Sequence, residues 1–447
     1  MRGFSARFSI ALGAVMWAGA ASAAEPVKAA TYTKDVAPIF QAKCEACHRT
    51  DSMAPMSLTN YQEARPWARS IKARVAARQM PPWHIDKNVG IQEFKNDRSL
   101  TDAEIDTITR WVDAGAPMGD PKDMPPPIRW PTEAVWNFAK LFGPPDLIVK
   151  SPSFTMPAHA QDAWDKRSTP SGVTEPRWVR AIEIRPATNK GRKIVHHALA
   201  RLSQDDPVDN AAAANNDDDS GVNAGPGLFM EWAVGKQGEI MRPDTGKLLL
   251  PGSQFVWDIH YSQAGEEITN NVELGIYFYP KGQEPKYRQV LHLMGTGGID
   301  IPPNTIKGTQ GFFVMKQSGR VESFQPHMHL RGKAMMMEAI LPSGQTQVLS
   351  HVDNFNFNWH NSYYYADDAA PLLPKGTVLR ITAWHDNTVA NKSNPDPNQW
   401  VGSGDRTVDE MAHAWVNVTY MPEEDFKAEV EKKASTSVKT TDSQRQP

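Results

Sequence analysis

The chain has 447 residues, enough for about three domains at roughly 150 residues each. Hydrophobic residues at 40% and charged residues at 22% sit near globular averages, which excludes a collagen, a coiled coil and a wholly disordered protein. The formal charge of −3, from 48 basic and 51 acidic residues, creates no field that would draw nucleic acid or anionic lipid, so neither is expected as a partner.

Residues 1–24 read as a signal peptide. Arg2 and Arg7 form a basic start, Phe8 to Ala21 is a short apolar stretch, and Ala21-Ser22-Ala23 is a small-residue cleavage site. The stretch is too short to span a bilayer well, and no later segment holds 18 uninterrupted apolar residues. A soluble exported protein without a membrane span is expected, and loss of Arg2 and Arg7 takes its charge from −3 to −5.

The only cysteines, Cys44 and Cys47, lie in Cys44-Glu45-Ala46-Cys47-His48. With no further Cys there is no disulfide framework, so the cores must hold by packing alone. The C-x-x-C-H spacing lets two thiols bond the vinyl groups of one haem while the adjacent His48 ligates its iron. A zinc knuckle would need a second ligand pair nearby, and a thioredoxin-like redox pair would need a βαβ context that is missing. A covalent haem makes the expected compartment a bacterial periplasm.

Around this motif the spacing predicts a small helical unit over residues 30–120. Asp35 to Ala46 puts Val36, Ile39 and Phe40 at helical spacing, with Pro38 tolerated in the first turn. Thr101 with Glu104 reads as a capping box; Ile105, Ile108, Trp111 and Val112 form an apolar stripe that Gly115 and Pro117 end. The unit resembles class I cytochrome c, and the resemblance implies an all-α fold with a Met between the two helices as sixth haem ligand. Met80, in Met80-Pro81-Pro82-Trp83, is preferred; Met53, Met56 and His84 are the alternatives. A single C-x-x-C-H means one haem and excludes a dihaem peroxidase.

Residues 121–148 are rich in Pro and read as a semi-rigid linker. Beyond it the period changes. Val256–Ser262, Val272–Tyr279, Val378–His385 and Ala414–Tyr420 alternate or run apolar at strand length between Pro-Gly, Ser-Gly and Lys-Gly turns. The expected fold class is therefore a small all-α cytochrome c domain followed by two all-β jelly-roll-like sandwiches, at 149–298 and 299–424, with a charged tail at 425–447.

Histidines cluster in the β region. His327 and His329 are i and i+2 in a strand and share a face, so they can chelate one metal without distortion. His196 and His197 are adjacent and point to opposite faces, so they can share a metal only at a strand end or a bulge; His260 is a fifth histidine in the same stretch. Taken alone each would be a core or surface histidine; two pairs and a fifth together point to metal.

Val195-His196-His197, Leu249-Leu250-Pro251-Gly252-Ser253 leading to Ile259-His260-Tyr261-Ser262, Ile301-Pro302-Pro303, His327-Met328-His329-Leu330-Arg331-Gly332-Lys333 and Asp409-Glu410-Met411 resemble, in order, motifs of the copper type II ascorbate-dependent monooxygenases, the family of peptidylglycine α-hydroxylating and dopamine β-monooxygenases. The resemblance spans residues 150–422 and implies two coppers, one held by His196, His197 and His260 and the other by His327, His329 and Met411, each on its own sandwich. Imidazole suits both copper states and the thioether of Met411 favours Cu(I). Such an enzyme inserts one oxygen atom of O₂ into a C–H bond of a small-molecule substrate. A periplasmic donor protein would supply electrons through the haem, in place of or beside ascorbate.

The sequence departs from the family in several places. The β region has no Cys, Gln325 stands where a substrate-clamping Arg is expected, and His413 and Trp415 replace an Asn and a Tyr, so a glycine-extended peptide is not the expected substrate. The alternative class is a non-catalytic electron-transfer or copper-binding protein; blue copper is disfavoured because both thiols belong to the haem. Asp205 to Asn223 reads as a solvated loop without EF-hand spacing, and His351, His360 and His385 as structural, His385 being the strongest exception.

Overall fold

A computed structural model describes residues 29–443 apart from 51, 53, 96, 131–134, 207–226, 234–235 and 237. The leader expected at 1–24, Met53 and the acidic run Asp217-Asp218-Asp219 lie outside the described residues.

The amino-terminal segment packs short helices. A π-helical turn, Tyr32–Val36, leads into the α-helix Ala37–Lys43, with Pro38 in its first turn where no amide donor is lost. Asn60 caps Tyr61–Ala64 by accepting from the Glu63 amide at 3.0 Å. Asp102–Asp113 begins at the Thr101/Glu104 capping box. Its stripe buries Ile108 and Trp111 against Tyr32, Val36, Phe40, Ile71 and Val75.

This segment is nevertheless not a separate all-α domain, which corrects the expected fold class. Its helices are short, and the chain between them forms the strand Ile85–Gly90, antiparallel to Thr346–Val352 with Ile85 opposite Val352. Trp83 and Ile85 belong to the core of the β region, and the Ile91 amide donates to the Leu349 carbonyl at 2.9 Å. Gly90 has φ +76° and lies so close that a Cβ there would sit 2.6 Å from Leu349 O, so the crossing point requires glycine. An unpaired sheet edge captures the segment, and hydrophobic period does not report which edge is free.

The second correction concerns the two sandwiches. One eleven-stranded sheet runs through both expected units: Leu147–Lys150, Val272–Phe278, Arg177–Pro186, Thr245–Leu249, Tyr287–Thr296, Ala412–Tyr420, Gly319–Val321 and Leu372–Leu373 in order, with three short strands beside this path. The junction is the parallel pairing of Thr245 with Tyr287 and Gly246 with Arg288. One five-stranded sheet, built on Gln254–Tyr261, Val195–Ser203 and Gly227–Ala233, packs over one half through Ile182, Leu274, Ala198 and Trp257. The other, built on Gly332–Ile340, Val378–Asp386 and Ile306–Val314, packs over the second half through Met294, Val416, Met337 and Ile381. The chain is thus a predominantly β protein of sandwich type with a shared central sheet, rather than an all-α domain followed by two independent jelly rolls.

The Pro-rich stretch is packed at both ends. Gln41 Nε2 donates to Pro126 O at 3.1 Å, and the amides of Asn137 and Phe138 donate to the Glu183 carboxylate at 2.7 and 3.1 Å. The charged tail is the helix Glu423–Ser443. Among the described residues no helix is long and apolar enough to cross a membrane.

Candidate metal centre

The strand Val195–Ser203 runs antiparallel to Gln254–Tyr261, with His197 opposite His260 but Val195 opposite Tyr261. His196 is the extra residue of this bulge, so two adjacent histidines turn toward the same partner, as sharing a metal requires. Ring centroids lie 5.4 Å apart for His196 and His197 and 5.1 Å from each to His260. The candidate ligand atoms of the three all lie within 4.8 Å of one another, and the His196 and His197 Nδ1 atoms are 3.1 Å apart. Asp162 Oδ2 lies 2.8 Å from His260 Nε2, Trp164 stacks on that ring at 4.5 Å, and His260 Nδ1 is buried without a hydrogen-bond partner. A carboxylate fixing the far nitrogen and a bare near nitrogen is how proteins orient metal-binding imidazoles.

The second group grows from the strand Ser323–His327, where His327 pairs with His413 and Gln325 with Trp415 across Ala412–Tyr420. Beyond the strand end, the fully buried Glu410 accepts from the His329 amide at 2.9 Å and the Arg331 amide at 2.6 Å, which fixes the turn. His329 Nδ1 lies 3.0 Å from Asp409 O, so its N–H donates there and Nε2 keeps the lone pair. His327 and His329 rings are 5.4 Å apart, and His413 stacks on His327 at 4.8 Å. Met411 follows Glu410, and its carbonyl lies 3.0 Å from His385 Nε2.

The two groups adjoin. His197 and His327 centroids are 6.3 Å apart, and His360 stands between them, 4.7 Å from His327, 6.0 Å from His197 and 6.1 Å from His196. His360 was expected to be structural; its partner His327 is 33 residues away, beyond any local spacing signal. His351 pairs with Asp86 at 3.1 Å, away from the cluster.

Burial holds His196, His197, His327, His360 and His413 neutral. It pushes His196 down to about 4, with His260 adding to the effect, and His413 down to about 3. His197, His327 and His360 are held well below the ordinary range by burial and then by neighbouring imidazoles. Neutral rings offer lone pairs to a metal. Gln325 is already committed: its Nε2 donates to Glu231 Oε2 at 2.5 Å and to His360 O at 3.3 Å, and Ser362 Oγ donates to its Oε1. It has no donor left for a substrate carboxylate. Burial also raises Glu231 to about 7, against Lys236 and Gln325.

In the amino-terminal segment the amides of Cys47 and His48 both donate to the Cys44 carbonyl, at 3.1 and 2.9 Å, so both thiols and the imidazole come from one turn. The thiols are not joined in a disulfide. His48 Nδ1 lies 3.2 Å from Met56 O, which occupies its N–H and leaves Nε2 free, as an axial ligand needs. These residues fit a covalent haem. Met80 lines a small pocket with Val75, Arg78, Leu100 and Ile105. Met56 serves through its carbonyl, and the His84 amide donates to Tyr363 Oη at 3.2 Å.

No family model matches the chain, and no curated protein matches it. Among solved structures it is similar to the major capsid protein P2 from bacteriophage PM2, at 10% identity, 61% of this chain and 97% of that one, TM-score 0.23. It is also similar to a structure of infectious bursal disease virus Gx strain (9% identity, 63% and 75% covered, TM-score 0.17) and to dimeric latent PorU from Porphyromonas gingivalis (9%, 55% and 24%, TM-score 0.14). Likenesses this low carry no argument about function.

Proposed function

We propose that the chain is an exported copper-dependent monooxygenase that receives electrons singly through a haem on Cys44, Cys47 and His48. One observation carries the reading: His196, His197 and His260, brought together by a bulge and backed by Asp162, adjoin a second histidine group built on His327 and His329. The ordered motifs that resemble the copper type II monooxygenases support the choice of metal and reaction.

The reaction balances as RH + O₂ + 2 e⁻ + 2 H⁺ → ROH + H₂O. Copper, when bound, supplies one-electron redox chemistry and a site for O₂. The chain's own groups do the rest. Asp162 holds the His260 tautomer, and Glu410 and Asp409 O aim His329. Phe357, stacked on His196 at 5.5 Å, and Trp415, 4.9 Å from His327, pack against the rings. With Gln325 committed to Glu231, the substrate is one without a carboxylate to clamp, and electrons come from a periplasmic donor protein or from ascorbate.

The test is metal content and oxygen chemistry together. Protein loaded with copper and reduced should hold one haem and two coppers per chain, consume O₂ with a C–H substrate, and transfer ¹⁸O from ¹⁸O₂ to the product. Copper binding without O₂ consumption across a broad substrate panel favours the electron-transfer or copper-carrier reading. Protein that takes up no copper defeats the monooxygenase and copper-carrier readings and leaves only electron transfer through the haem.

A further inference from the structure

His360 sits in the segment between the strands Thr346–Val352 and Tyr363–Tyr364, 3% exposed, and has no task in the scheme above. Its Nδ1 is 2.9 Å from Nδ1 of His327, and its Nε2 is buried with no hydrogen-bond partner. Phe355 and Phe357 pack beside the ring at 5.9 and 5.6 Å, and the Phe357 carbonyl approaches the ring without reaching hydrogen-bond geometry with Nε2.

A neutral imidazole carries one N–H and one lone pair. If the His360 proton lies on Nε2, it is buried without an acceptor. If it lies on Nδ1, it is donated to His327, which then carries its own proton on Nε2 and has no lone pair left for a metal. Hydrogen bonding alone therefore leaves His360 unsatisfied or removes His327 from the ligand set, and an unsatisfied buried group calls for a functional explanation. Two ligating nitrogens, each ~2.0 Å from a common metal and subtending 90–110°, lie about 2.8–3.3 Å apart. The His327–His360 gap of 2.9 Å falls in that range, as does the 3.1 Å gap between His196 and His197.

We propose that His360 is a metal ligand, binding one ion together with His327. The inference rests on the copper reading of this site and adds a ligand that the motif pattern does not contain.

His360→Ala, with His360→Asn as a milder variant, tests it by copper content after dialysis and by the electron paramagnetic resonance of the Cu(II) form. The expected result is retention of one copper at the His196/His197/His260 group and loss, or about tenfold weaker binding, of the second, with only the second spectrum altered. Unchanged copper content and spectrum overturn the proposal. Should either variant misfold, copper-edge anomalous diffraction from loaded parent crystals decides: copper within about 2.2 Å of nitrogens of both His327 and His360 supports it, and no copper within about 3 Å of His360 overturns it. Parent protein that binds no copper defeats the proposed function itself. Loaded parent with an indifferent His360→Ala defeats only this assignment.

Discussion

Asp162→Ala addresses the carboxylate that orients the third imidazole of the first group. His260 Nε2 lies 2.8 Å from Asp162 Oδ2, so the ring donates its N–H outward and presents the buried Nδ1 as a lone pair. Removing Asp162 frees the other tautomer and removes the negative charge that makes the ring a better base. Losing such a partner weakens metal binding by about 10–100-fold. Two observations place this case near the lower end: the Asp162 side chain is 42% exposed, so water already screens its charge, and Trp164, stacked 5° from coplanar, still restrains the ring. The expected loss is about tenfold in copper affinity, or about 1.4 kcal/mol. Asp162→Asn should lose less, because its amide oxygen still accepts the N–H. Competition against a chelator of known affinity measures the change at about pH 7.5, above the lowered pKa of His260, so proton competition does not contribute. Parent-like affinity in Asp162→Ala, or an equal loss at both histidine groups, would refute the reasoning.

Three further outcomes are expected. His292, fully buried with Tyr420 Oη at 2.8 Å from its Nε2, is held down to about 4 by burial; between there and its unfolded value of 6.5 only the unfolded chain binds the proton. Its contribution is present above pH 6.5 and lost as pH falls toward 4, at up to about 1.4 kcal/mol per pH unit, so denaturant melts of His292→Gln should show a flatter slope over that window than the parent. Gly90→Ala should cost about 2 kcal/mol or more, against about 1 kcal/mol for Gly115→Ala, because both have positive φ but only Gly90 faces backbone at 2.6 Å; equal losses in chemical denaturation would contradict the close approach. If Met80 is the sixth haem ligand, Met80→Ala should keep the covalent haem but admit CO in the reduced form, and a CO-free low-spin spectrum would move the assignment to Met53, Met56 or His84.

Much of the local structure was legible in the sequence because its causes are local. The Thr101/Glu104 box fixes where the helix Asp102–Asp113 begins, and adjacent His196 and His197 can meet one partner only at a strand end or through a bulge, of which the structure contains the bulge. What the sequence did not disclose depends on pairing across distance. Ile85–Gly90 carries a weak strand pattern and becomes a strand because Thr346–Val352 offers an edge. Thr245 pairs in parallel with Tyr287, and nothing in a two-residue period names that partner. His360 shows the same limit at the site: no candidate ligand lies near it in sequence, and the pairing emerges only when His327 arrives from the strand Ser323–His327.

The strand Ile85–Gly90 also bears on any attempt to dissect the protein. It is the outermost member of its five-stranded sheet, so the amino-terminal segment acts as a lid on an otherwise open row of amides and carbonyls along Thr346–Val352. A truncated chain beginning near residue 121 would lose more than the Cys44-Cys47-His48 turn. It would bare that row, together with the apolar surface that Trp83 and Ile85 cover, to neighbouring molecules, a geometry that favours edge-to-edge self-association. The segment that carries the Cys44-Cys47-His48 turn is thereby inseparable from the solubility of the β region, which makes single substitutions a cleaner dissection than deletion.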